Sequence, residues 1–135
     1  MVGTMPLCDH SDDHDFYTQG FERNGVVSVW AGLRPADDRA DVDVLQDLCG
    51  VGYYALSDQE GQASDGDAVS LGTLIEPLSY ASSYLQAVVA RAGARGVTHA
   101  HWLTVQYDFA YHPMRVTRPI TDDPVFLGVF DYRTE

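Results

Sequence analysis

HAHWLTVQYDFAYH, residues 99–112, sets three histidines and one aspartate among aromatic and β-branched residues. Strand side chains point alternately to opposite faces, so the parity of the residue numbers settles which of them can meet. The odd positions are His99, His101, Leu103, Val105, Tyr107 and Phe109, a set that grows apolar along its length. The even positions are Ala100, Trp102, Thr104, Gln106 and Asp108. This pattern predicts a strand over about 99–109, with His99 and His101 on the face that runs into the core and Asp108 on the opposite one. The polar groups do not converge, so the stretch is a sheet strand in preference to a catalytic line-up.

Around this strand the remaining elements fall into place. Val26–Trp30 is a β-branched run after the turn signal Asn24-Gly25 and predicts a strand. Val42, Leu45 and Leu48 recur at helical spacing with acids between them and Gly50 behind, predicting an acidic amphipathic helix. Residues 51–56 read as a short strand or an extended connection, and residues 57–67, rich in Asp, Gln, Gly and Ser, as a loop. Tyr80, Tyr84, Leu85, Val88, Val89 and Ala92 line one face of a second helix, preceded by Pro77, with Ser79 as its N-cap and Gly93 and Gly96 at its end. A short strand is expected at 114–117. The run from Val125 to Tyr132 is apolar at both parities, with Val125, Leu127 and Val129 on one face and Phe126, Phe130 and Tyr132 on the other, which predicts a central strand buried on both sides. The expected fold is α+β: an antiparallel or mixed sheet of about four strands with two helices packed on one face. Residues 26–135 form the single domain of this reading, and residues 1–25 a loosely held acidic leader.

The charge balance narrows function. Twenty Asp and Glu oppose eight cations, all of them Arg, for a net charge of −12. Such a chain repels nucleic acid and anionic membrane surfaces, and its electrostatic partner is basic. Residues 37–67 concentrate nine of the acids against Arg39 alone. No apolar run approaches the roughly 18 residues of a membrane span, and the N-terminus lacks a signal-peptide pattern, which points to the cytoplasm. Two cysteines, Cys8 and Cys49, are too few for a disulfide framework.

Chemistry-bearing patterns are sparse. His99 and His101 supply two ligands of a zinc site that needs three or four, and neither cysteine offers paired spacing. His10 and His14 lie in a segment without apolar periodicity. There is no G-x-S-x-G elbow, phosphate-cradling glycine loop or C-x-x-C. The expectation is a non-enzyme without cofactor or metal. The alternatives are a small metal-dependent hydrolase using His99 and His101 with Asp108, or a binding module for another basic protein. Interfaces favour Trp, Tyr and Arg as anchors, and this selects Asp37, Asp38, Asp41, Asp43, Asp58, Glu60 and Asp108 as acidic contacts, with Tyr53, Tyr54 and Trp102 as apolar anchors.

In the order of its segments the chain resembles immunity protein 22 of bacterial polymorphic toxin systems. The resemblance rests on VSVWAG (27–32), VGYYALSD (51–58), SYASSY (79–84), VQYDFAY (105–111) and FLGVFDY (126–132), and covers residues 26–132. It implies an α+β protein encoded beside a toxin, which binds that toxin stoichiometrically and blocks it. Toxins of such systems are often nucleases, whose basic clefts an acidic protein can occupy. The leader and the polar loop at 58–67 depart from the family's pattern.

Overall fold

The computed structural model describes residues 20–34, 45, 49–52, 54–64, 66–116, 120 and 123–133. Its strands are β1 (Glu22–Gly32), β2 (Gln59–Ala63), β3 (Val69–Ser70), β4 (His99–Ala100), β5 (Trp102–Phe109) and β6 (Val125–Asp131). Helix α1 spans Leu71–Ile75 and α2 spans Leu85–Ala94, with 3-10 turns at Leu56–Asp58, Ala81–Ser83 and Pro113–Arg115. The main sheet is antiparallel in the order β2-β5-β1-β6, and β3 pairs with β4 in a second, two-stranded sheet. The fold is α+β.

One face of the main sheet packs on both helices. Val27, Val29 and Ala31 from β1, Leu103, Val105 and Tyr107 from β5, and Leu127 and Phe130 from β6 meet Leu71, Leu74 and Ile75 of α1 and Val88 and Ala92 of α2. Each helix buries its i, i+3, i+4 stripe there because an amphipathic element is stable only with that stripe out of water. The other face is covered by chain instead of described helix: Phe21, Leu45, Cys49, Val51 and Tyr111 close over Trp30 and Phe109. Phe21 is buried and β1 begins at Glu22, so the ordered fold includes residues assigned by sequence to the leader. Asn24-Gly25 lies inside β1, with Gly25 at φ +84°, where the β1–β5 register shifts.

The helices differ from expectation in an instructive way. α1 is capped by Ser70, whose hydroxyl accepts from Thr73 N at 3.3 Å. It arises in a stretch where the sequence shows too few turns for a period. α2 starts at Leu85, not after Ser79, because Ser79 is tied sideways to the sheet: its N–H donates to Glu60 Oε1 at 2.8 Å and its carbonyl accepts from Tyr107 OH at 2.5 Å. Tyr80 then turns through φ 60°. The helix runs past Gly93 and closes at Gly96, φ +80°, where Val97 N bonds Ala92 O at 2.9 Å and Gly96 N bonds Gly93 O at 3.0 Å. Those paired bonds are a Schellman stop. Of the expected acidic helix over 42–48, only Leu45 lies within the described residues, buried in the second cluster.

Three strand expectations are corrected. Residues 59–63 are not loop but edge strand β2, whose Gln-Glu-Gly-Gln-Ala composition reflects its exposed position and leaves its backbone pairing with β5 unreported. β6 is the other edge, not a central strand: burial on two faces reports the layers above and below, not the place in the hydrogen-bond order. Its alternation is also broken. Val29 pairs with Gly128 and Trp30 with Phe126, so Leu127 is an extra residue, and Gly128 sits at φ +140°. That bulge shifts the phase, putting Phe130 and Tyr132 on the same side as Val125 and Leu127 and leaving Phe126 on the Trp30 side. Where a strand was expected over 114–117, a 3-10 turn over Pro113–Arg115 stands instead, with His112 Nδ1 accepting from Met114 N at 3.1 Å, and residue 117 lies outside the described residues.

Candidate functional site

The predicted strand at 99–109 is interrupted at its start and end. His101 is a bend between β4 and β5, its N–H donating to Gly32 O at 2.8 Å. His99 Nδ1 meets Thr98 Oγ1 at 3.0 Å and His101 Nδ1 meets Gly66 O, in the segment before β3, at 3.0 Å, so each imidazole is engaged in a hydrogen bond. Among the described residues no group of three or more His, Cys, Asp or Glu side chains is placed to hold a metal ion. At the far end Asp108 adopts φ 56°, which ends the alternation and sends Phe109 into the second cluster.

That turn at Asp108 builds the site. Its Oδ1 accepts from Gly25 N at 3.0 Å and from Tyr132 OH at 2.7 Å. Tyr132 packs on Tyr107 at 5.0 Å between ring centroids, and Tyr80 joins both, at 5.6 Å from Tyr107 and 5.5 Å from Tyr132. Tyr84 lies behind, its hydroxyl 2.8 Å from that of Tyr107. Tyr84 and Tyr107 are buried, Tyr132 is half-buried and Tyr80 is 41% exposed, so the cluster rises from the core to the surface.

Carboxylates surround it. Glu60 reaches it through the Ser79 N–H, Asp108 through the Tyr132 hydroxyl, and Asp58 stands at the start of β2. Burial first, then contact with the neighbouring tyrosine or Asp108 and the charges of Glu60 and Asp58, sets the acidity of these phenols. Burial pushes Tyr84 up from 10.0 to about 12, a rise that the Glu60 charge reinforces and the bond to Tyr107 opposes. Tyr107 and Tyr132 are raised as well, both chiefly by burial. Tyr84, Tyr107 and Tyr132 therefore stay neutral at physiological pH, beside acids that give the aromatic surface a negative surround. Such a surface can hold a cation and can anchor a protein partner.

Of the residues selected by sequence, the structure assembles Asp58, Glu60 and Asp108 here. It places Trp102 and Tyr54 elsewhere. Trp102 is buried at the opposite end of β5, six residues or about 20 Å along the strand. Its indole N–H donates to Arg34 O at 3.0 Å and its ring lies over Gly32, so it is packing and not a surface anchor. Gln106 is buried too, so of the even positions of β5 only Thr104 and Asp108 reach the surface. Tyr54 packs against the cluster around Trp30. Asp37, Asp38, Asp41, Asp43 and Tyr53 lie outside the described residues.

The tyrosines themselves were missed as a group. Tyr80 and Tyr84 share a face in a helix reading, and nothing in one sequence ties them to Tyr107 and Tyr132, whose positions at the ends of β5 and β6 depend on two local breaks in alternation. Among the described residues no helix is long and apolar enough to cross a membrane. Comparison of the chain with protein-family models, with curated proteins and with solved structures gives no match.

Proposed function

We propose that this chain is an immunity protein that binds a basic toxin domain, of the nuclease kind, and neutralises it in the cytoplasm by stoichiometric, non-catalytic contact. The observation that carries the reading is the convergence of Asp58, Glu60 and Asp108 on a half-exposed tyrosine cluster in a chain of net charge −12. Aromatic anchors with an acidic surround suit a partner that is both basic and tightly held. The resemblance of its segment order to immunity protein 22 is in keeping with the same reading.

The decisive test is genetic. Cells expressing the toxin domain encoded by the neighbouring reading frame should survive when this chain is co-expressed and die without it; death in both cases ends the proposal. With both proteins purified, long-range attraction between −12 and a basic surface should accelerate encounter and be screened by salt. The association rate is expected to fall by about tenfold or more between low and high ionic strength in stopped-flow mixing, at the scale typical of steered complexes. A rate indifferent to salt would contradict charge complementarity.

A further inference from the structure

We infer that the tyrosine cluster is a seat for one arginine side chain of the partner, with the guanidinium laid against Tyr80 and Tyr132 and bonded to the carboxylates beside them. The inference rests on the proposed function for the basic nature of the partner and on geometry for the residue type. Tyr80, Tyr107 and Tyr132 meet pairwise with centroids 5.0 to 5.6 Å apart. Tyr107 is the buried floor, edge-on to Tyr80 at 86°, whereas Tyr80 and Tyr132 are inclined by only 32° and both reach solvent. Two rings inclined by 32° offer a flat group a shallow surface to lie on.

The acids fix the chemistry. Asp108 and Glu60 are half-buried, and each is held by hydrogen bonds to the frame: Asp108 by Gly25 N and Tyr132 OH, Glu60 by Ser79 N. Carboxylates positioned in this way are poor at following a mobile point charge and good at meeting a rigid fork of donors. A guanidinium offers a planar face for the rings and N–H groups in its plane for the carboxylates, and it sheds water more readily than an ammonium. This chain's own arginines show the affinity in miniature, with Arg91 over Phe130 and Arg115 over Phe21, each at 5.6 Å from the ring centre. Those two cations are held at other sites.

The probe is acetyl-Gly-Arg-Gly-amide, titrated into the intact chain while the tyrosine ring resonances are followed by NMR, with the citrulline and lysine versions of the peptide run in parallel. Saturable shifts at Tyr80 and Tyr132 are expected with arginine, and none with citrulline. Tyr80→Asn should weaken binding about two- to fivefold, the range of an exposed cation–π contact, and asparagine tolerates the left-handed backbone at that position. Asp108→Asn keeps an acceptor for Gly25 and Tyr132 while removing the charge, and should weaken binding as well. Equal binding of the lysine peptide, or affinity unchanged in Tyr80→Asn, would overturn the arginine seat. Toxin neutralisation persisting without ring shifts would also overturn it and leave the proposed function standing. Ring shifts in a chain that fails to neutralise would retain the seat and remove the function.

Discussion

Ser28 shows how much one small side chain can organise. It sits in β1 with no exposure, its Oγ donating to Phe109 O at 2.6 Å and accepting from Tyr111 N at 3.0 Å. Beyond Phe109 the β5 ladder has ended, so this hydroxyl carries the chain from sheet to the covering layer and places Tyr111, whose own hydroxyl donates to Cys49 O at 2.7 Å. Ser28→Ala would leave a buried N–H and a buried carbonyl short of a partner. A loss of about 1–3 kcal/mol is expected, read as a lower denaturant midpoint at unchanged slope. An unchanged midpoint would mean that the covering layer holds Tyr111 without it.

At the scale of elements, two glycines make opposite expectations. Gly128 holds the β6 bulge at φ +140°, and a Cβ there would come 3.0 Å from Arg91 Nη1 and 3.2 Å from a Phe130 ring carbon. Gly128→Ala should cost about 1–3 kcal/mol for backbone strain alone. Gly93 lies in α2 with open space around its missing Cβ. Gly93→Ala should stabilise by about 0.5–1 kcal/mol, by stiffening the unfolded chain and favouring the helix. Thermal melts of the two variants should therefore move in opposite directions. If both destabilise, the bulge is not what distinguishes them.

These same elements mark what a sequence can and cannot disclose. β1, β5, β6 and the body of α2 were legible because apolar spacing records burial. The identity of β2 as a strand and of β6 as an edge was not, since pairing order is written in backbone bonds that leave no trace in composition. The site divides likewise. Asp58, Glu60 and Asp108 stood out as charge, but their convergence depends on the φ of Asp108 and the bulge at Leu127, each of which moves a neighbouring aromatic to the opposite face. Trp102 was misread because one parity rule predicts a face without predicting whether other chain covers it.

For the molecule as a whole, the tyrosines link fold to pH. Tyr84 is raised from 10.0 to about 12, and Tyr107, Tyr111 and Tyr132 are raised in the same direction, each chiefly by burial. A phenol is neutral when protonated, so a folded chain that holds these protons more tightly than the unfolded chain gains stability fully present below pH 10 and drained as pH climbs toward 12 and beyond. Tyrosinate absorbance should thus rise in two steps: exposed phenols first, then the buried set together with loss of near-ultraviolet circular dichroism. A single step near the ordinary phenol range with tertiary signal intact would contradict the buried network.

The strand order carries a consequence for how the chain is born. β1 is central, yet its two neighbours are β5 and β6, completed only at Phe109 and Asp131. At about 5–20 residues per second of synthesis, the run from Gly32 to Asp131 takes on the order of 5–20 s. Until Phe109 is made GVVSVWAG has no native partner on either side, and until Asp131 is made it is paired on one side alone, so the chain carries an unpaired apolar strand through most of its synthesis.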